Sequence, residues 1–193
     1  MLNELIKKNR SYRRYDSSHF VSVETIKSLV NNARLSPSAA NLQPLRYVIV
    51  NSKIKTEKLF ESLKWAAYLK EWRGPSPDER PNSYIIILGD KQFAKYHSVD
   101  AGIAAQSILL SAVEIGLGGC IFASGDKERI RKEFEISDDY EFLLVIAIGK
   151  PKEEVVLTEI EEGADIKYWR DESSVHYVPK RKLDDIIFNV YSD

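Results

Sequence analysis

The stretch DAGIAAQSILLSAVEIGLGG, residues 100–119, constrains the fold more than any other part of the chain. Ala101, Gly102, Ala104, Ala105, Ile108, Leu109 and Ala112 put small or apolar side chains on nearly every side of a helix from about Val99 to Ile115. A helix that is apolar all round has to be covered all round. Gln106, Ser107, Ser111 and Glu114 make it too polar to span a bilayer, so it reads as enclosed by protein. Its cover is either the core of its own domain or a second copy of the chain, and the pattern leaves both open.

With 193 residues, the chain is long enough for one domain with a real core. Periodicity and capping predict helices over 2–9, from an N-cap at Ser22 through Ala33, over KIKTEKLFESLKWAAYL (53–69), over DKERIRKEFEI (126–136) and near Leu183. Strands are predicted at RYVIV (46–50), SYIIILGD (83–90), GGCIFA (118–123) and YEFLLVIAIGKP (140–151). EWRGPSPDERPN (71–82) reads as a loop. Helices and strands mix without strict βαβ alternation, so the expected class is α+β. The expected organisation is one domain over 1–193, with a variable insert at about 64–82 and a C-terminal segment at about 165–193.

Several function classes drop out. A net charge of −1 argues against bulk nucleic-acid binding, although Lys7, Lys8, Arg10, Arg13 and Arg14 form a local basic patch. The lone Cys120 forms no internal disulfide, and no Cys/His spacing reads as a metal site. MLNELIKKNRSYRRYD lacks the apolar core and cleavage site of a signal peptide, so the expectation is a soluble, cytoplasmic protein. GLGG (116–119) is no dinucleotide fingerprint: that motif follows a strand and opens a helix, whereas here a helix comes first. There is no G-x-S-x-G elbow, and His19, His97 and His176 lie far apart. With no nucleophile, base or metal cluster in view, an enzyme built on this chain would draw its chemistry from a cofactor.

Arg10, Ser11 and Arg13 supply two guanidiniums and a hydroxyl within four residues, a donor set suited to phosphate. Lys180, Arg181 and Lys182 form a second basic cluster. Each cluster is either solvated surface charge or part of a phosphate site. The join ARLSPSAANLQPLRYVIV (33–50) is unusual for a helix-to-strand connection, because Pro37 and Pro44 stiffen a loop of small residues carrying Asn41 and Gln43. Trp65, Tyr68 and Trp72 either stack on a planar ligand or cover core edges.

NRSYRRYDSSHFVSVETIKSLVNNARLSPSAANLQPLRYVIV resembles the opening of the FMN-dependent nitroreductases, with their R-R-S-x-R stretch and later APSAxNxQPW block. DAGIAAQSILLSAVEIGLGGCIFASGDKERIRKEF, LLVIAIGKPKE and VPKRKLDDII follow in the order that family shows. The resemblance implies a nitroreductase-like fold, with a central, mainly antiparallel sheet flanked by helices. It also implies an intertwined homodimer with two FMN sites at the interface. Arg10, Ser11 and Arg13 would hold the FMN phosphate and ribityl chain, joined by Lys180, Arg181 or Lys182. Ile121, Phe122, Ala123 and Ser124 would pass the flavin edge, a backbone N–H near Ala123 or Ser124 meeting N5. Pro37, Ser38, Ala39 and Asn41 would come from the second subunit and lie against the ring.

The implied activity is transfer of hydride from NADH or NADPH to an acceptor such as a nitroaromatic or quinone, with no side-chain acid or base required. Flavin storage without turnover, reductive dehalogenation and flavin breakdown are the alternatives. Asn9 stands where the family carries arginine, and Leu45 where it carries tryptophan.

Overall fold

The computed structural model describes residues 1–192 and divides into two compact units. The first comprises Met1–Trp65 and Gly74–Lys152, and the second Ala66–Arg73 and the chain from Glu153 onward.

The first unit contains α1 (Leu2–Lys8), α2 (Val23–Arg34), β1 (Leu45–Val50), α3 (Lys53–Ser62), β2 (Ser83–Asp90), α4 (His97–Glu114), β3 (Gly118–Phe122), α5 (Lys127–Glu133) and β4 (Tyr140–Gly149). Its four strands form one sheet in the order β1-β2-β4-β3, and every neighbouring pair is antiparallel. The α+β class and the antiparallel sheet flanked by helices are as the sequence implies.

The unbroken apolar run of β2 explains the layering. Successive strand residues point to opposite faces, so Ile85 and Ile87 face one way and Tyr84 and Ile86 the other. On the first face they join Ile146 and Ile148, with Ile26 and Leu29 of α2 and Ala101, Ala104, Ala105 and Ile108 of α4. On the second they join Val145 and Ala147, with Tyr15, Leu59 of α3, Phe122 and Ile130 of α5. The capping expectations hold: Ser22 Oγ accepts from Thr25 N (3.0 Å) and Asp126 Oδ1 from Arg129 N (2.9 Å).

One feature differs in detail from the sequence reading. The helix predicted to reach Leu69 ends at Ser62, because Leu63 turns extended (φ −96°, ψ 150°), pairs with Gly125 and buries its side chain in the second core. The central helix is covered on one broad face by its own unit, while Val99 (58 % exposed), Gly102 and Gln106 form an open line. GLGG proves to be a stop followed by a tight strand. Gly116 ends the helix at φ +75°, and a Cβ on Gly119 would lie 2.4 Å from the carbonyl oxygen of Ala147.

The second unit holds strands that the sequence pattern did not reveal. β5 (Val155–Ile160) runs parallel to β7 (His176–Arg181), β6 (Trp169–Arg170) pairs antiparallel with β7, and α6 (Leu183–Ile186) follows. Half-exposed residues and interspersed charges such as Glu159 and Lys180 blur the alternation there.

Tyr84 is fully buried, and among the described residues its hydroxyl has no hydrogen-bond partner. Burial, with Glu57 nearby, holds its pKa well above the usual phenol value. Removing an unsatisfied buried hydroxyl relieves a desolvation cost. Tyr84→Phe is therefore expected to gain about 1 kcal/mol, or about 2–4 °C in thermal midpoint. A lower midpoint in calorimetry would contradict this.

Candidate functional site

After α1 the chain runs extended beside the outer strand of the sheet. Ser11 pairs with Gly119 in a parallel bridge, and Tyr12 N donates to Gly119 O (3.0 Å). The fold thus brings Arg10–Arg13 alongside β3, which leads directly into Ala123 and Ser124. The absence of a side chain at Gly118 permits this crowding, since a Cβ there would lie 2.5 Å from the Tyr12 ring.

Arg10 is half-buried, and one arm of its guanidinium is used locally, Nη2 donating to Ile6 O (2.8 Å). Its Nε is buried with no hydrogen-bond partner among the described residues. Burial pushes the pKa of this guanidinium down. A buried, partnerless N–H on a cation is a costly arrangement that an acceptor would relieve. Ser11 is exposed beside it, and Arg13 Nη1 donates to Ser11 O (3.2 Å). Arg14 is committed elsewhere, its Nε and Nη2 gripping both carboxylate oxygens of Glu79 (2.8 and 2.6 Å). Asn9 Nδ2 donates to Gln106 Oε1 (3.2 Å), tying the stretch to α4.

On β3 and beyond it, Ile121 (41 % exposed), Ala123 and Ser124 face solvent. Phe122 is 5 % exposed and turns into the core, its ring 4.7 Å from that of Trp65. Trp65 also packs on Phe60 at 5.2 Å, at the edge of the second core. In the second unit, the Trp72 ring lies 4.2 Å from the guanidinium of Arg170, and Tyr68 packs on Tyr168 at 5.0 Å. Lys180 and Arg181, at the end of β7, are exposed and form no ion pair among the described residues. Lys182 is paired with Glu161.

The 37–44 loop is a third element. Ala40 (φ 49°), Asn41 (φ 54°) and Gln43 (φ 50°) all take left-handed backbone without being glycine. Each such residue costs about 1–2 kcal/mol. Asp100 in the first turn of α4 holds the loop: its Oδ2 accepts from Ser38 Oγ (2.6 Å) and its Oδ1 from Ala39 N (3.0 Å). Ser38 Oγ accepts from Gln43 N in turn (3.0 Å). Behind the loop lies a cavity of about 300 Å³, bounded by Pro37, Ser38, Pro44, Leu45, Tyr47 and Asp100 among others. Burial, and secondarily the Asp100 charge, push the Tyr47 phenol up to about 12.

Sequence reasoning missed Asp100 and Tyr47. The available signal was a single acid at the head of an otherwise apolar helix, at the end where α-helical amides favour negative charge.

Residues 6–150 match the sequence model of the nitroreductase family. The chain belongs to that family. A relative from Methanothermobacter thermautotrophicus, with the provisional name NADH dehydrogenase/NAD(P)H nitroreductase, is 31% identical over 157 residues, covering 78% of this chain and 77% of its own. The solved structure of an FMN-dependent nitroreductase from Clostridium difficile R20291 superposes with a TM-score of 0.64 at 28% identity, covering 78% of this chain and 87% of the other. An iodotyrosine dehalogenase 1 homologue from Caenorhabditis elegans is 26% identical over 190 residues, covering 81% of this chain and 57% of its own.

The Arg14–Glu79 grip carries a pH signature in this nitroreductase-family chain. Hydrogen bonding from Arg14 holds the Glu79 carboxyl below its usual value. A depressed folded pKa stabilises above the ordinary glutamate value of about 4.3 and stops doing so as pH falls through the lower folded value. The urea midpoint of wild type should exceed that of Arg14→Met at pH 7, with the gap closing on acidification. A gap independent of pH would refute the assignment.

Proposed function

We propose that this chain is an FMN-dependent oxidoreductase that passes hydride from NADH or NADPH to an oxidised acceptor such as a nitroaromatic or quinone. It works as a homodimer with two FMN sites at the interface, in the cytoplasm. Among the described residues, no helix is long and apolar enough to cross a membrane.

The observation that carries the reading is the partnerless buried Nε of Arg10, next to Ser11, which pairs with Gly119 near the start of β3, and close in sequence to Arg13. That donor set fits a phosphate. Bound FMN would supply a two-electron redox centre able to take and release hydride. Arg10, Ser11 and Arg13 hold the phosphate, Arg through directed N–H donors and Ser through its hydroxyl. Of the C-terminal cluster, Lys180 and Arg181 are the cations proposed to add charge, because Glu161 already neutralises Lys182. Main-chain N–H groups at Ala123 and Ser124 serve as donors toward N5, a role that leaves their side chains free to vary. Pro37, Ser38, Ala39 and Asn41 of the second copy lie against the ring. The exposed Val99 and Gly102 on α4 support a subunit contact there, Gly102 leaving room for a close approach.

Reductive dehalogenation is a second reading, favoured by the likeness to the Caenorhabditis elegans homologue. Purified protein mixed with FMN should retain a yellow colour, bleach anaerobically with NADH or NADPH, and recover on adding a quinone or nitroaromatic. Recovery only with a halogenated phenol would select the second reading, colour without bleaching would mean storage, and colourless protein would overturn the proposal. Combined Arg10→Ala and Arg13→Ala substitution should weaken FMN binding at least about 100-fold, by losing two charge-assisted contacts, while the circular dichroism spectrum stays unchanged. Unaltered affinity would remove both residues from the site.

A further inference from the structure

Left-handed backbone at three non-glycine residues within four positions persists only where the surroundings over-determine it. Packing does not do so on the inner side of this loop, where Pro37 and Ser38 border a cavity of about 300 Å³. Hydrogen bonds do. The Asp100 carboxylate takes Ser38 Oγ on one oxygen and Ala39 N on the other, and Ser38 Oγ reaches across to Gln43 N. This relay fastens both ends of the strained segment to one side chain.

Asp100 itself is 3 % exposed and forms no ion pair among the described residues. It sits in the first turn of α4, the end of a helix where the backbone amides favour an acidic side chain. The nearby Tyr47 phenol stays neutral and so adds no second charge.

We propose that Asp100 is a positioning residue, holding Pro37–Gln43 in the strained shape that presents Ser38, Ala39 and Asn41 to the flavin of the second copy; this rests on the FMN reading above. Asp100 touches neither flavin nor substrate in this scheme and acts through Ser38 and Ala39. Without it the left-handed residues relax, and the loop samples conformations that no longer present a fixed small-residue surface.

The test uses the full chain and the variants Asp100→Ala, Asp100→Asn and Ser38→Ala. In flavin-free protein, amide hydrogen exchange at Ala39 and Gln43 should be slow in wild type. It should accelerate at least tenfold at both residues in Asp100→Ala, and by an intermediate factor in Asp100→Asn, which keeps one acceptor. Ser38→Ala leaves Asp100 in place, so it should accelerate Gln43 alone and decides the matter should Asp100→Ala fail to fold. With FMN added, Asp100→Ala should bind about tenfold more weakly and shift the visible absorption band of the bound flavin, and Asp100→Asn should recover part of both. Combined Arg10→Ala and Arg13→Ala weakens binding without shifting that band.

Unchanged exchange in Asp100→Ala and Ser38→Ala overturns the clamp. Faster exchange with unchanged FMN affinity and band overturns its bearing on the flavin. Wild-type protein that takes no FMN overturns the functional reading, and the exchange measurement still decides the clamp.

Discussion

Burial of β2 on both faces is the constraint from which the first unit follows. A strand with Tyr84, Ile85, Ile86 and Ile87 all withdrawn from water needs helices on either side, and α2 with α4 on one face and α3 with α5 on the other provide them. Sandwiching the strand this way fixes β4 beside it and puts β3 at the edge. The N-terminal stretch then finds its place by pairing with β3 at Gly119. Hydrophobic burial at the centre therefore determines, two strands away, where a cationic stretch meets an exposed backbone edge.

The candidate site combines two contrasting physical devices. At Arg10 the fold leaves a cation partly desolvated with an unused donor, an arrangement that favours an incoming anion. At the 37–44 loop it does the opposite, committing every oxygen of Asp100 and the hydroxyl of Ser38 to internal bonds so that the backbone is rigid. The first device contributes attraction and the second contributes shape, and in a family whose chemistry resides in a cofactor these are the contributions left to the polypeptide.

Long, strongly patterned segments were legible in the sequence. The apolar run 83–90, the Ser22 and Asp126 caps and the small-residue helix each follow from local chemistry that tertiary structure had no reason to override. The end of α3 was not legible, because nothing local marks Leu63 as the residue that leaves the helix for the core. β5 and β7 were hidden for a related reason: parallel pairing in a half-exposed sheet produces no clean alternation. At the site, the cation pattern at 10–13 announced itself through residue type. Asp100 did not, since its partners Ser38 and Ala39 are distant in sequence and the contact exists only once α4 is docked.

Gly119 has a bearing on how freely this chain can diversify. Its α-carbon is hemmed in by the Ala147 carbonyl and by Leu109, so any side chain there would lever β3 away from β4 and carry the adjoining 10–13 stretch with it. Ile121, Ala123 and Ser124, a few residues on, face open water and are under no such restraint. Substitution can therefore vary the rim of this edge widely, while the glycine beneath it stays fixed by its packing.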